Sequence, residues 1–180
     1  MKILIASDIH GSAKYCRKLI DAFKREEANR MILLGDILYH GPRNDLPEEY
    51  NPKEVIRLLN EMSGVIYAVR GNCEAEVDQM VLNFPVMADY MMIPIGEKMV
   101  FATHGHIYNK ENLPPMSKED ILLTGHTHVL ACEGNPEYVY MNPGSVSLPK
   151  EGSARAYILL EKEKFVWKTL EGEVLMTYSS

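Results

Sequence analysis

Apolar residues gather in short unbroken runs at 3–6, 31–34, 65–69, 99–103 and 121–124, each continuous enough to predict a strand buried on both faces. Between the first two runs, Ser12 stands where it can cap a helix in which Tyr15, Cys16, Leu19, Ile20 and Phe23 recur at three- and four-residue spacing. The charged stretch 24–27 ends it. A second helix has stronger signals: Asn51 as N-cap, Pro52 at the first helical position, Glu54 at the capping-box position, then Val55, Ile56, Leu58, Leu59 and Met62 before Gly64. The segment 37–50 holds no sustained period and reads as a loop, and a shorter helix is predicted over 74–82.

From residue 90 the pattern shifts to strands, at 91–95, 99–103, 121–124, 129–132 and 138–141, with few connecting helices. The stretch 154–178 alternates, as in Tyr157, Leu159, Phe165, Trp167 and Thr169, with Gly172 punctuating the last pair; this predicts antiparallel strands with one solvated face. A β-α-β-α first half and a strand-rich second half fit an α/β fold of two mixed sheets packed face to face and flanked by helices. No repeat or linker divides the 180 residues, so one domain over 1–180 is expected.

Each of the five apolar runs stops at residues that bind metals: Asp8 and His10, Gly35-Asp36, Gly71-Asn72, His104 with His106, and Gly125-His126-Thr127-His128. Open α/β sheets bind ligands outside the carboxyl ends of their strands, so a single site built from five strand ends is expected, with a loop over it at 37–50. Within Asp8-Ile9-His10 and His126-Thr127-His128, extended backbone would turn alternate side chains to one side. Two carboxylates, one amide and four imidazoles without thiolate suit manganese, iron or zinc better than calcium. Seven donors exceed one ion's need and suffice for two if Asp36 bridges them. Two divalent ions less two aspartates leave about +2, an excess that favours a phosphoryl group.

Composition narrows the partners. A net charge of −6 argues against a broad basic surface for long nucleic acid, while small anionic substrates remain open if the site supplies positive charge. Cys16, Cys73 and Cys132 are odd in number and lack C-x-x-C spacing, which points to neither a disulfide framework nor a cysteine zinc site and fits a reducing cytoplasm. The opening apolar run is too short for a signal peptide, and no membrane span is expected.

In order, Asp8-Ile9-His10, Gly35-Asp36, Gly71-Asn72, His104 and Gly125-His126-Thr127-His128 resemble the calcineurin-like metallophosphoesterase superfamily. The stretches 35–44, 70–73, 76–80 and 142–147 are similar to the small bacterial YfcE-type phosphodiesterases. The resemblance implies a four-layer α/β/β/α sandwich and manganese-dependent phosphodiester hydrolysis by a metal-bridging hydroxide. It also implies Asp8, His10, Asp36 and His128 around one ion and Asp36, Asn72, His104 and His126 around the other. Iron, zinc and nickel are the alternative metals. Other functions open to the same motifs are a phosphomonoesterase acting on nucleotides or sugar phosphates and a non-catalytic scaffold of the same fold.

Many members of the wider superfamily carry Gly-Asn-His where this chain has Gly71-Asn72-Cys73, and that histidine is the proposed acid for the leaving group. A thiol near its ordinary pKa of about 8.5 is a poor substitute, which leaves solvent, His40 or His106 to supply the proton and predicts a bias toward good leaving groups. Asp36, Asn72, His40 and Cys73 are the residues expected at the reaction, although the histidines committed to metal leave Cys73 no base for a nucleophilic role. Arg43 and Asn44 either hold a substrate phosphate or staple their loop. Gly144 and Ser145 are expected to form a tight turn rather than an anion cradle. Met87, Met91 and Met92 read as core or subunit contacts, and an exposed Met and Tyr patch near Tyr90 would favour a homo-oligomer.

Overall fold

A computed structural model describes residues 1–179. Strands β1 (Lys2–Ala6), β2 (Arg30–Leu33) and β3 (Ile66–Ala68) run parallel, and β9 (Ala156–Glu161), β10 (Lys164–Thr169) and β11 (Val174–Ser179) extend the sheet antiparallel. The order is β11-β10-β9-β1-β2-β3. The second sheet combines β4 (Tyr90–Ile95), β5 (Lys98–Thr103), β6 (Ile121–Leu123), β7 (Leu130–Gly134) and β8 (Val139–Pro143) in the order β4-β5-β6-β8-β7. Within it β5, β6 and β8 are parallel. Both expected mixed sheets are present, each built around a parallel triple whose carboxyl ends carry the motifs.

Alternation along the strands builds two apolar layers. Ile3, Ile5, Ile32 and Leu34 from the first sheet meet Val100, Ala102, Leu123 and Met141 from the second, with Phe165 and Trp167 filling the interior. Burying such side chains is worth about 1.5–3 kcal/mol each. Leu4, Ala6, Met31 and Leu33 face the other way, onto Cys16, Leu19 and Ile20 of helix α1 (Ala13–Arg25) and Val55 and Leu59 of helix α2 (Pro52–Asn60). The caps are as expected: Ser12 Oγ accepts from the Tyr15 N–H, and Asn51 Oδ1 accepts from the Glu54 N–H. The Glu54 carboxylate turns away from the cap to pair with Arg57 at 2.8 Å. On the outer face of the second sheet, Phe101, Leu122, Tyr138 and Tyr140 are covered by Tyr108 and Met116 from the segment 104–120, which carries no helix among the described residues.

Three local expectations need correction. Helix α3 (Glu76–Val81) starts two residues late because Glu74 turns inward. Strand β9 is buried on both faces rather than one, since it lies between β1 and β10 in mid-sheet. Tyr67 of β3 is 51% exposed, because β3 is an edge strand. On the β4 edge, Tyr90 is stacked on Phe101 yet 47% exposed and Met92 is 44% exposed, which is the patch that self-association would use.

Candidate metal centre

The carboxyl ends of β1, β2, β3, β5 and β6 bring all seven expected donors to one place. Asp8 Oδ1 lies 3.4 Å from His10 Nε2 and 3.2 Å from His128 Nε2, and these two ring nitrogens are 3.2 Å apart. Each ring donates from Nδ1 to a backbone carbonyl, His10 to Tyr39 at 2.8 Å and His128 to Leu148 at 2.6 Å. In the neutral rings both Nε2 atoms therefore present lone pairs toward each other. Asp8 Oδ1 is buried without a hydrogen-bond partner among the described residues. Three acceptors facing one point in a buried site are satisfied together by a cation, so the donor set fits a divalent metal.

Asp36 spans two such groups. Its Oδ2 is 3.7 Å from His10 Nε2, and its Oδ1 is 3.4 Å from His104 Nε2. His104 donates from Nδ1 to the Leu34 carbonyl at 2.6 Å, and its Nε2 lies 3.1 Å from Asn72 Oδ1 and 3.2 Å from His126 Nδ1. Donor atoms of Asp8, His10 and His128, and separately of Asp36, His104 and His126, all come within 4.8 Å of one another. A third grouping of His10, Asp36 and Cys73 places the thiol beside Asp36, where the residue pattern had offered no metal role for cysteine.

The backbone departs from the expected geometry. Asp8, His10, Asp36, His126 and His128 have φ of 60, 49, 54, 66 and 62°, in the left-handed region rather than extended. The two D-x-H and H-x-H pairs thus converge through turns, not through strand alternation. Such conformations cost on the order of 1–3 kcal/mol each and gather at functional sites. Aspartate and histidine are enriched among the non-glycine residues that adopt them. The motif glycines answer close approach: a Cβ on Gly71 would collide with Asp36 Oδ1, and one on Gly125 with Ser7 Oγ and, at 2.8 Å, with Asp8 Oδ2.

Supporting contacts escaped the residue pattern. The buried Glu74 carboxylate accepts from the Asp36, Ile37 and Gly71 N–H groups at 2.8, 2.7 and 2.5 Å, tying the loop after β2 to the loop after β3. Its only signal was an acid directly after Gly71-Asn72-Cys73. Gly144, at φ 74°, forms the expected turn, but Ser145 and Ser147 also donate to the Asp8 carbonyl at 2.8 and 3.1 Å. The Cys73 and His126 N–H groups hold Asp36 Oδ1 and Asp8 Oδ2 at 2.9 and 3.0 Å.

Burial opposes the charge on Asp8 and Asp36, yet the surrounding histidines hold both carboxyls below their usual range. Burial likewise opposes the charge on His104, but Asp36 and Asp8 raise it to about 9. Burial, His104 and Arg70 push His106 down to about 4. Burial and Asp36 push the Cys73 thiol up. A cleft of about 320 Å³ opens over the donors, lined by Asp36, Arg43, Asn44, Asn72, His126, Thr127, His128 and Lys150. Arg43 makes no ion pair among the described residues, whereas Asn44 staples its loop through Nδ2 to the His40 carbonyl at 2.8 Å. His40 is outside the lining, its ring packed edge-on against Tyr39 and Tyr50.

The family model for the calcineurin-like phosphoesterase superfamily domain matches residues 1–164. The chain belongs to the calcineurin-like phosphoesterase superfamily. This phosphoesterase is 44% identical over 163 residues to phosphodiesterase YfcE of Escherichia coli K12, covering 91% of the chain and 89% of the relative. The solved structure of the E. coli YfcE phosphoesterase superposes with a TM-score of 0.95 at 40% identity, covering 99% of both chains. Phosphodiesterase MJ0936 of Methanocaldococcus jannaschii is 26% identical over 151 residues, covering 80% of the chain and 83% of the relative. Vacuolar protein sorting 29 of Cryptosporidium parvum shares the fold at a TM-score of 0.62 and 18% identity, covering 99% of this phosphoesterase and 98% of its own chain.

The proton held by His104 sets an expectation for metal loading. A ligand nitrogen must be free of its proton, so binding displaces one from His104 below about pH 9, and His10, also raised, adds to the effect. Affinity should climb by up to about tenfold per pH unit for each proton displaced, to about pH 9, and then flatten. The metal-free fold has the opposite slope: the charged His104 contact helps it fully below about pH 6.5 and is lost as pH rises through about 9. Competition titrations with a chelator across pH 6–10 check both signs, and a pH-independent affinity would contradict the assignment of His104 as a ligand.

Proposed function

We propose that this phosphoesterase hydrolyses small phosphodiesters with two divalent ions, manganese foremost, in a reducing cytoplasm. The observation that carries the reading is Asp36, whose two oxygens face different donor groups 3.7 and 3.4 Å away. The likeness to a protein named phosphodiesterase YfcE at 44% identity supports the ester class. Asp8, His10, Asp36 and His128 would hold one ion, and Asp36, Asn72, His104 and His126 the other. Bound there, two ions supply an acidified water and positive charge for the phosphoryl oxygens. Iron, zinc or nickel would meet the same nitrogen and oxygen donors. Three dispersed free thiols support the reducing setting. Among the described residues no helix is long and apolar enough to cross a membrane.

The chain's own groups do the rest. Backbone carbonyls of Tyr39, Leu34 and Leu148 fix the tautomers and directions of three rings. Arg43, without a carboxylate partner among the described residues, offers a forked donor to a phosphate at the cleft rim. Leaving-group protonation is the weak point. His106 is neutral at pH 7 and the thiol of Cys73 holds its proton tightly, so neither is a competent acid. Solvent supplies that proton, and aryl esters outrun alkyl esters.

The test strips the protein of metal, restores manganese, and compares p-nitrophenyl diesters with the corresponding monoester. Cleavage of the diester should depend on manganese and exceed that of the monoester by at least about tenfold, with rates falling steeply as the leaving-group pKa rises. Monoester preference would replace the reading with a phosphomonoesterase. Inactivity on both, with metal bound, would reject hydrolysis of either ester.

A further inference from the structure

Resting on the phosphodiesterase reading, we infer that the substrate carries a second anionic group beside the scissile diester, held on one wall of the cleft by Lys150 and Thr127. The cleft has unlike walls. Arg43 and Asn44 come from the loop after β2, while Thr127 and Lys150 come from the loops after β6 and β8, with Asp36, Asn72 and His126 completing the lining. A bound diester facing Asp36 and Arg43 leaves the Thr127 and Lys150 side for whatever its alcohol carries.

Both residues on that side are held in place by backbone and buried contacts yet keep a free donor. The Lys150 N–H donates to the His128 carbonyl at 3.0 Å, and its own carbonyl accepts from Ser153 at 2.9 Å, closing a turn that follows Pro149. Its backbone is therefore one hydrogen bond from a candidate ligand. Its ammonium pairs with no carboxylate among the described residues. Thr127 Oγ1 accepts from Asn142 Nδ2 at 3.1 Å and from the Val129 N–H at 3.3 Å. Approached by these two donors, the hydroxyl keeps its own proton to donate, and an anion is a suitable acceptor.

Size and charge agree. A volume of 320 Å³ is about 8.5 Å across if round, enough for a phosphodiester and one further carboxylate or phosphate. An uncharged alcohol would leave the exposed Lys150 ammonium to water, whereas a carboxylate or phosphate gains a charge-assisted contact in a chain whose net charge of −6 otherwise repels it. The two possible sources share this chemistry, and the assay separates them.

The experiment uses manganese-loaded protein and three p-nitrophenyl diesters, in which the second alcohol is methanol, a carboxyalkanol or a phosphoalkanol. Wild type should show a KM about tenfold lower for at least one anionic ester than for the methyl ester, with the discrimination absent from kcat. In Lys150→Ala that KM ratio should fall to about one, in Lys150→Glu it should invert, and Lys150→Arg should restore most of it. Thr127→Val should lose part of it while leaving bound metal at the wild-type stoichiometry. The carboxylated and phosphorylated esters report which anion is preferred. Cleavage of all three esters with equal KM, or an equal ratio in wild type and Lys150→Ala, would overturn the second-anion inference alone. Cleavage of none would take down the diesterase reading with it.

Discussion

Asp36→Ala should lower kcat/KM for a diester by about a thousandfold or more, a loss of about 4 kcal/mol in transition-state stabilisation. The same change should bring bound metal from two ions per chain to at most one. The reason is geometric: Asp36 Oδ2 turns to the group around His10 and Oδ1 to the group around His104, so one truncation disturbs both. Asp36 also accepts the Cys73 N–H at 2.9 Å, and its loss frees the loop after β3 that carries Asn72. Metal analysis of the purified variant, read beside its rate, checks the claim. Two tightly bound ions with the rate preserved would remove Asp36 from its bridging role.

Glu74→Ala should cost about 3–5 kcal/mol of stability and weaken metal binding about 10- to 100-fold, although Glu74 belongs to neither donor group. Its carboxylate is the acceptor for three buried N–H groups, from Asp36, Ile37 and Gly71, and alanine leaves all three without a partner. Glutamine is no rescue, because its amide nitrogen would present a donor to donors. Burial and the charge on Asp36 raise the Glu74 carboxyl above its usual range, and positive charge brought to Asp36 would ease its ionisation. Since a raised folded pKa favours the fold at low pH and loses that favour as pH rises through it, the metal-free protein should lose stability as Glu74 ionises. Thermal melts with and without manganese should therefore show a larger metal-induced rise in wild type than in Glu74→Ala. An equal rise would separate Glu74 from the metal centre.

Much of this was legible in the chain. The apolar runs marked the parallel strands, and polar residues past each run marked the site, because a buried strand end is where the chain must change from apolar to polar. The seven residues that converge past the strand ends were legible as residue types in order. What escaped notice were residues whose role depends on a partner distant in sequence. Glu74 acts on backbone groups 37 and 38 residues away, and Ser145 on a carbonyl 137 residues away. Alternation misled at β9, where a central place in the sheet overrode the one-sided pattern expected for the last strands. It misled again at Asp8-Ile9-His10 and His126-Thr127-His128, where turns replaced the extended backbone.

Those turns constrain which sequences can neighbour this one. Each of the five left-handed candidate ligand positions would impose two independent conditions, a side chain that donates to a cation and a backbone that tolerates positive φ. Glycine meets only the second, and cysteine favours only the first, while glutamate can meet both, since Glu27, Glu49, Glu119 and Glu151 of this chain have φ between 50 and 72°. Aspartate, asparagine and histidine meet both. Drift at the centre is thereby biased toward exchanges among the residue types enriched at positive φ, each altering charge or hardness while the main chain stays where it is. A lineage could retune its choice of metal by single steps within that small alphabet, and an engineer seeking a different ion should search there before disturbing any loop.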